Sequence, residues 1–178
     1  VAALLKYLTV AKANIMGFSN GGTTALQLAI RHPQLVHKII AISATCKRDG
    51  MIAGFFDGMQ HATLANMPGP LKVAYLNVNP NESGLQTMFE KDKNRMLSFK
   101  DIEDEKIESI KAETLLMVAD KDVITIEHTL ALSRLIKNSS MVVLPGVHGA
   151  FIGEVCTKTA NSKLPEVSAT LIKAFLSA

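Results

Sequence analysis

The hydrophobic residues near the start of the chain follow a strand–helix–strand pattern. A short apolar run, Ala13–Phe18, precedes a segment, Ala25–Ile30, whose apolar positions recur at the spacing of a helix face. This helix is predicted to end at His32, because the residue before Pro33 is pushed out of the helical region. Val36–Ile42 is short, mostly apolar and β-branched, as is typical of a strand covered on both faces. The order strand, helix, strand predicts a parallel sheet.

The same alternation returns in the last part of the chain. Thr114–Ala119 is predicted as a third strand, and Ile126–Ile136 as a helix. Met141–Leu144 is predicted as a fourth strand that ends at Pro145-Gly146, and Leu164–Leu176 as the last helix. Together these elements predict an α/β fold, with a parallel sheet that carries helices on both faces.

Residues 47–109 interrupt this pattern. Several glycines and the cluster Pro68-Gly69-Pro70 separate short stretches of helical spacing, among them Met51–Met59 and Leu85–Leu97. We therefore interpret residues 47–109 as a helical insertion outside the sheet. Residues 1–46 and 110–178 would then form the two parts of the core that contains the sheet.

Composition and charge narrow the class of protein. Of the 178 residues, 48% are hydrophobic and 20% are charged, which excludes a disordered, collagen-like or coiled-coil chain. The net charge of +3 is too small and dispersed to favour nucleic acid or a membrane surface as a partner. No apolar run approaches the roughly 20 residues that span a bilayer. Cys46 and Cys156 are too few for a disulfide framework, and we expect free thiols in the cytoplasm.

One short motif points to catalysis. Residues Gly17–Gly21 match the pattern G-x-S-x-G, in which a serine occupies a sharp strand-to-helix turn. Glycines beside such a turn let neighbouring backbone approach closely, and the turn exposes the hydroxyl at a helix N-terminus, where negative charge is favoured. Since the match follows a predicted strand and opens a predicted helix, Ser19 is a candidate nucleophile. In the alternative interpretation, Ser19 only caps the helix.

A nucleophilic serine needs a base, and the base needs an acid that orients it. Asp120 and Asp122 follow the third predicted strand, and His148 follows the fourth. Because parallel strands place their carboxyl ends at one edge of the sheet, we expect these side chains near Ser19. His128, near the start of the following helix, is an alternative base.

The remaining histidines are weaker candidates. His32 and His37 fit structural or solvated positions, and His61 lies in the insertion, where a surface role is favoured. No pair of histidines has the spacing of a metal site with a third ligand nearby, so we predict neither a metal nor a cofactor.

These motifs give the chain a specific resemblance. Over nearly its whole length it resembles the C-terminal part of an α/β-hydrolase fold protein. Gly17–Gly22 is similar to the nucleophile elbow of that family, Val118–Val123 to the segment with its acid, and Leu144–Gly149 to its histidine loop. The resemblance implies that Asp122 rather than Asp120 is the acid, with Ala119 standing where the family usually has glycine.

The resemblance also implies further roles. The backbone N–H of Asn20 would donate to the oxyanion, and residues 47–109 would form a cap over the site. Four apolar side chains are candidates for the substrate pocket, with packing of the cap as the alternative for the last three: Phe18, Phe55, Phe56 and Met59.

The function implied is hydrolysis of a small-molecule, ester-like substrate through an acyl-enzyme on Ser19. Two alternatives remain open: C–C bond hydrolysis or perhydrolysis by the same three residues, and a non-catalytic binding module with this fold. In the family, four strands and a second oxyanion donor precede the elbow strand, and this chain begins at Val1 without them. We therefore expect one edge of Ala13–Phe18 to be unpaired and activity to depend on an upstream segment or a partner copy.

Overall fold

The computed structural model describes residues 1–178 and contains four strands and eight α-helices. The strands are β1 (Ala13–Phe18), β2 (Val36–Ile42), β3 (Glu113–Lys121) and β4 (Ser139–Val147). The helices are α1 (Ala2–Tyr7), α2 (Asn20–Arg31), α3 (Phe55–Gln60), α4 (Gly69–Val78), α5 (Glu82–Leu97), α6 (Asp104–Glu108), α7 (Ile126–Leu135) and α8 (Leu164–Ser177). None of these helices is long and apolar enough to cross a membrane.

The strands form one parallel sheet in the order β1-β2-β3-β4. Each strand is added on the same side of the previous one, so right-handed crossovers place α2 and α7 on the same face of the sheet. On this face Leu26 and Leu132 pack against Ile39. On the opposite face α8 covers Ile40 and Met117. The predicted fold class, a parallel sheet with helices on both faces, is confirmed.

Both outer strands are edge strands. The outer side of β1 has no strand partner, as expected, and Met16 is exposed there. On the other side, β4 continues through Pro145-Gly146 to Val147, so the predicted stop was wrong. The pairing register with β3 shifts between Ala119 and Lys121, opposite this proline. Proline is tolerated at such an irregular place on an edge strand, because no ladder hydrogen bond is required from its nitrogen.

Helices α3 to α6 all lie between β2 and β3, and we call residues 47–109 the inserted segment. Met51–Met59 is not one helix as predicted, because Met51 forms an isolated β-bridge with Ile124 and only Phe55–Gln60 is helical. The cluster Pro68-Gly69-Pro70 lies at the start of α4 instead of in a loop between helices, since proline fits the first turn of a helix.

Candidate active site

Ser19 stands between β1 and α2 in a strained backbone conformation. Its φ is 54° and its ψ is −120°, a region that non-glycine residues rarely adopt. Its N–H donates to the carbonyl oxygen of Ile42 at 2.8 Å, which ties the turn to the end of β2. Such strain typically costs on the order of 1–3 kcal/mol and persists where the surrounding structure enforces it.

The glycines of the motif do not contribute equally to this turn. A Cβ on Gly17 would lie 2.0 Å from the carbonyl oxygen of Gly21, and one on Gly22 would lie 2.9 Å from the Cβ of Ala44. A Cβ on Gly21 would meet no atom within 4 Å. The close approach therefore depends on Gly17 and Gly22, and the expectation that Gly21 serves it was wrong.

The structure brings Ser19, His148 and Asp122 together in a continuous chain of hydrogen bonds. His148 Nε2 lies 3.0 Å from Ser19 Oγ, and His148 Nδ1 lies 2.6 Å from Asp122 Oδ1. The Asp122 side chain is fully buried, whereas 26% of the His148 side chain is exposed. Since an ionised carboxylate only accepts, Nδ1 carries the proton and Nε2 is free to accept the serine hydroxyl.

The surroundings of Asp122 keep its carboxylate ionised. Burial alone would raise its pKa, but the hydrogen bonds from His148 and Ser43, the charge of His148 and the N–H of Ile124 together hold the pKa of Asp122 below its usual value. Ser43 Oγ donates to Asp122 Oδ2 at 2.6 Å. Sequence reasoning missed Ser43, although it follows β2 at the same edge of the sheet as the other candidates.

The two alternative residues lie elsewhere. Asp120 is exposed, and its Oδ1 accepts the Gly146 N–H at 2.7 Å instead of contacting His148. His128 is buried, and its Nε2 accepts the Cys46 N–H at 3.0 Å. Burial lowers the pKa of His128, and this ring lines a separate cavity of about 300 Å³ that shares no residue with the one at Ser19. Asp120 therefore does not hydrogen-bond to His148, and His128 does not hydrogen-bond to Ser19, so neither occupies the position of the alternative acid or base.

A cavity of about 350 Å³ opens beside Ser19 and His148. Its apolar wall comes from the inserted segment and from the loop after β3: Met51, Phe55, Met59, Met96, Phe99, Val123 and Ile124. Its polar residues include Asn20, Asp92 and Arg95.

Two of the four predicted pocket residues do not line this cavity. The ring of Phe18 lies 4.7 Å from that of His148, centroid to centroid, and so supports the histidine. The guanidinium of Arg48 stacks 3.6 Å from the ring centroid of Phe56. Phe55 and Met59 line the cavity.

No three His, Cys, Asp or Glu side chains come together in an arrangement that could hold a metal ion.

Cys46 and Cys156 are both free, the first buried and the second exposed. Burial raises the pKa of the Cys46 thiol to about 12, so this sulfur stays protonated.

Comparison with known proteins adds to this geometry. A family model described as alpha/beta hydrolase fold matches residues 1–98, more than half of the chain. The chain belongs to this family. This α/β-hydrolase is also 36% identical over 73 residues to RutD of Caulobacter vibrioides, which is named as a candidate carbamate hydrolase. That match covers 41% of the chain and 26% of RutD, so only about a quarter of the relative is represented.

Solved structures resemble the α/β-hydrolase over almost its whole length. A meta-cleavage product hydrolase from Pseudomonas fluorescens IP01 has a TM-score of 0.73 at 19% identity, over 99% of this chain and 68% of that one. An enol-lactonase from Burkholderia xenovorans LB400 has a TM-score of 0.68 at 17% identity, over 99% of this chain and 70% of that one. At these identities the likeness shows the shared fold.

Proposed function

We propose that this α/β-hydrolase cleaves an ester-like bond of a small molecule, with Ser19 as nucleophile, His148 as base and Asp122 as orienting acid. The observation that supports this most directly is the hydrogen-bonded chain from Asp122 through His148 to Ser19. A serine hydroxyl is a weak nucleophile on its own, and a base at 3.0 Å that is itself held by a buried carboxylate is the arrangement that activates it.

The reaction follows from the hydrogen-bond directions. His148 Nε2 takes the proton of Ser19 as Oγ bonds to the carbonyl carbon, and Asp122 stabilises the imidazolium that forms. The imidazolium then gives this proton to the leaving alcohol as its bond to carbon breaks. His148 then takes a proton from a water molecule whose oxygen bonds to the acyl carbon. As the bond between that carbon and Ser19 Oγ breaks, the imidazolium gives the proton to Oγ, and the acid is released.

The oxyanion of each tetrahedral intermediate would be held by the backbone N–H of Asn20. This group lies in the first turn of α2, where an N–H has no acceptor within the helix. The positive end of the helix dipole favours negative charge at the same place. One such donor is typically worth about 10²–10³ in rate.

The inserted segment supports the assignment of a small substrate. Residues 47–109 contribute Phe55, Met59 and Met96 to the cavity wall, so we propose that this segment is a cap whose apolar side chains hold the acyl part. A volume of about 350 Å³ lies at the lower end of the range for small-molecule sites. The similarity to RutD, which is named as a candidate carbamate hydrolase, favours a substrate with an ester-like carbonyl such as that of a carbamate.

Substitution of Ser19 tests the proposal in the full chain. We expect Ser19→Ala to lower kcat/KM for 4-nitrophenyl butyrate by at least about 10³-fold, because the nucleophile is removed. The matched control is Ser109→Ala, an exposed serine outside the cavity, which we expect to leave turnover unchanged. Equal turnover by the wild type and Ser19→Ala would refute the assignment.

Two further measurements separate the other functions. If the folded protein does not react with a fluorophosphonate probe at Ser19, the site is a binding module without nucleophilic chemistry. If β-diketones, or peroxide with acetate, are turned over faster than esters, the three residues serve C–C hydrolysis or perhydrolysis instead.

A further inference from the structure

Arg95 is the only lysine or arginine among the residues that line the cavity at Ser19. It lies in the last turn of α5 and thus belongs to the inserted segment, and its neighbours in the cavity wall are Met96 and Phe99. A guanidinium stays charged at any physiological pH, and 39% of the Arg95 side chain is exposed. Its charge is therefore accessible to a ligand in this largely apolar cavity.

The guanidinium of Arg95 is poorly satisfied by the protein. Nη1 donates to Asn20 Oδ1 and lies 3.4 Å from Met96 Sδ, which is a weak acceptor. Nε lies 3.6 Å from Asp92 Oδ1, too far for a hydrogen bond, and it is the one buried side-chain nitrogen or oxygen without a partner. Since the guanidinium carries five N–H donors, most of them are left without a protein acceptor.

The position of Arg95 relative to the nucleophile is fixed through Asn20. The bond from Nη1 to Asn20 Oδ1 joins α5 to the residue directly after Ser19. Arg95 and Ser19 line the same cavity, so a group bound at Arg95 shares that cavity with the atom that would carry the acyl group.

The carboxylates nearby do not neutralise this charge. Asp122 is fully buried and paired with His148. Asp92 is 60% exposed, and its ion pair with Arg95 spans 3.6 Å, so water screens it. An anionic ligand with two oxygens can bind the guanidinium by parallel N–H bonds, which a single long contact to Asp92 does not provide.

We propose that Arg95 binds a carboxylate on the acyl part of the substrate, so that this site selects ester-like compounds with a second, negatively charged group. The proposal rests on the proposed function, because it assigns the acyl part to this cavity. The ligand that the geometry calls for is a short chain with an ester-like carbonyl at one end and a carboxylate at the other.

The test compares two substrates, mono-4-nitrophenyl adipate and its methyl ester, in which one methyl group replaces the negative charge. For the wild type we expect the monoanion to have the higher kcat/KM. Arg95→Gln is expected to lower kcat/KM for the monoanion by about 10- to 100-fold, mainly through KM, with a much smaller change for the neutral diester. Arg95→Lys should recover part of the preference, since it restores the charge without the planar fork.

Two matched variants complete the set. Lys91→Gln removes an exposed charge from the same helix outside the cavity, and the ratio between the two substrates should not move. Asp92→Asn removes the carboxylate that competes for Arg95, and the ratio should rise in favour of the monoanion.

Failure of this inference differs from failure of the proposed function. If both substrates are cleaved in a Ser19-dependent way and their ratio is the same in the wild type and Arg95→Gln, the carboxylate site is overturned and the hydrolase assignment stands. If neither is cleaved, calorimetric binding of monomethyl adipate to Ser19→Ala, with and without Arg95→Gln, still decides. A loss of binding of about tenfold or more supports the site, and equal binding overturns it.

Discussion

Gly17 and Gly21 both lack a side chain, but only at Gly17 does neighbouring backbone occupy the space where a Cβ would lie. The Cβ of an alanine at Gly17 would collide with the Gly21 carbonyl at 2.0 Å, whereas at Gly21 it would enter open space. An alanine at Gly17 would fit only if the backbone of the Ser19 turn moved, because the contacting atoms belong to backbone and not to a flexible side chain. The conformation that presents the hydroxyl thus depends on Gly17.

Substitution by alanine should therefore affect stability more at Gly17 than at Gly21. We expect Gly17→Ala to lower the free energy of unfolding by about 1–3 kcal/mol or more, as overpacking in a tight site does. Gly21→Ala should change it by less than about 0.5 kcal/mol, or raise it slightly, since alanine is favoured over glycine in a helix. Urea unfolding of both variants measures the difference. Equal losses would show that Gly21 is as closely packed as Gly17.

At the scale of elements, the sequence predicts well what local pattern controls. The bounds of β1 and β2 match the prediction, because short, mostly apolar runs flanked by turn residues are a local signal. The start of α4 at Gly69 and the extension of β4 through Pro145 do not match. In both cases proline predicts the end of an element, although its effect depends on position: proline fits the start of a helix and an edge strand.

The contacts of Lys38 with α8 and β3 can also be tested. Lys38 of β2 is buried, and its Nζ donates to the Phe175 carbonyl oxygen in α8 at 2.9 Å and lies 3.1 Å from Glu113 Oε2 in β3. Lys38→Met keeps the apolar stem but leaves both acceptors without this donor, so we expect a loss of about 1–3 kcal/mol in the free energy of unfolding.

Glu113→Gln is the matched control for Lys38→Met. Its side chain is 49% exposed and the amide oxygen still accepts, so a loss under about 1 kcal/mol is expected. Hydrogen exchange in the last turn of α8 should rise in Lys38→Met and stay near the wild-type rate in Glu113→Gln. Similar exchange in the two variants would mean that Lys38 does not hold α8 to the sheet.

At the scale of the whole molecule, parallel topology explains why distant residues could be predicted to meet. Ser19, Asp122 and His148 all follow strands whose carboxyl ends share one edge, so the strand pattern alone places them together. The contacts of Arg95 could not be predicted in this way. These contacts depend on how the inserted segment packs against that edge. The hydrophobic periodicity of α5 does not predict which residues its last turn contacts.

The carboxylate of Asp122 links this whole edge of the sheet. It accepts hydrogen bonds from Ser43 after β2, from Ile124 after β3 and from His148 after β4, and His148 continues to Ser19 after β1. The loops that follow all four strands therefore meet, directly or through one ring, at a single negative charge. Removal of that charge should affect both the stability of the fold and the chemistry of the site.

The ionised carboxylate of Asp122 should make the stability of the fold depend on pH in the acid range. The pKa of Asp122 is held below its ordinary value of 3.8, so as the pH falls the unfolded chain takes up this proton before the folded one does. The carboxylate accordingly stabilises the fold above about pH 3.8, and this contribution is lost as the pH falls through the folded-state pKa. Asp122→Asn should be less stable near neutral pH by about 1–3 kcal/mol and should lose less stability on acidification.

Urea unfolding between about pH 2.5 and 7, with ester turnover on the same samples, measures both effects of Asp122→Asn. The variant should also lose about 10³–10⁴ in kcat, because the imidazole is no longer held in the tautomer that accepts the serine proton. Asp120→Asn is the matched control, since Asp120 is exposed and bonded to Gly146 outside the chain from Asp122 to Ser19. If the two variants show the same acid profile and the same turnover, Asp122 does not hold the loops together, and the proton relay assigned to it is wrong.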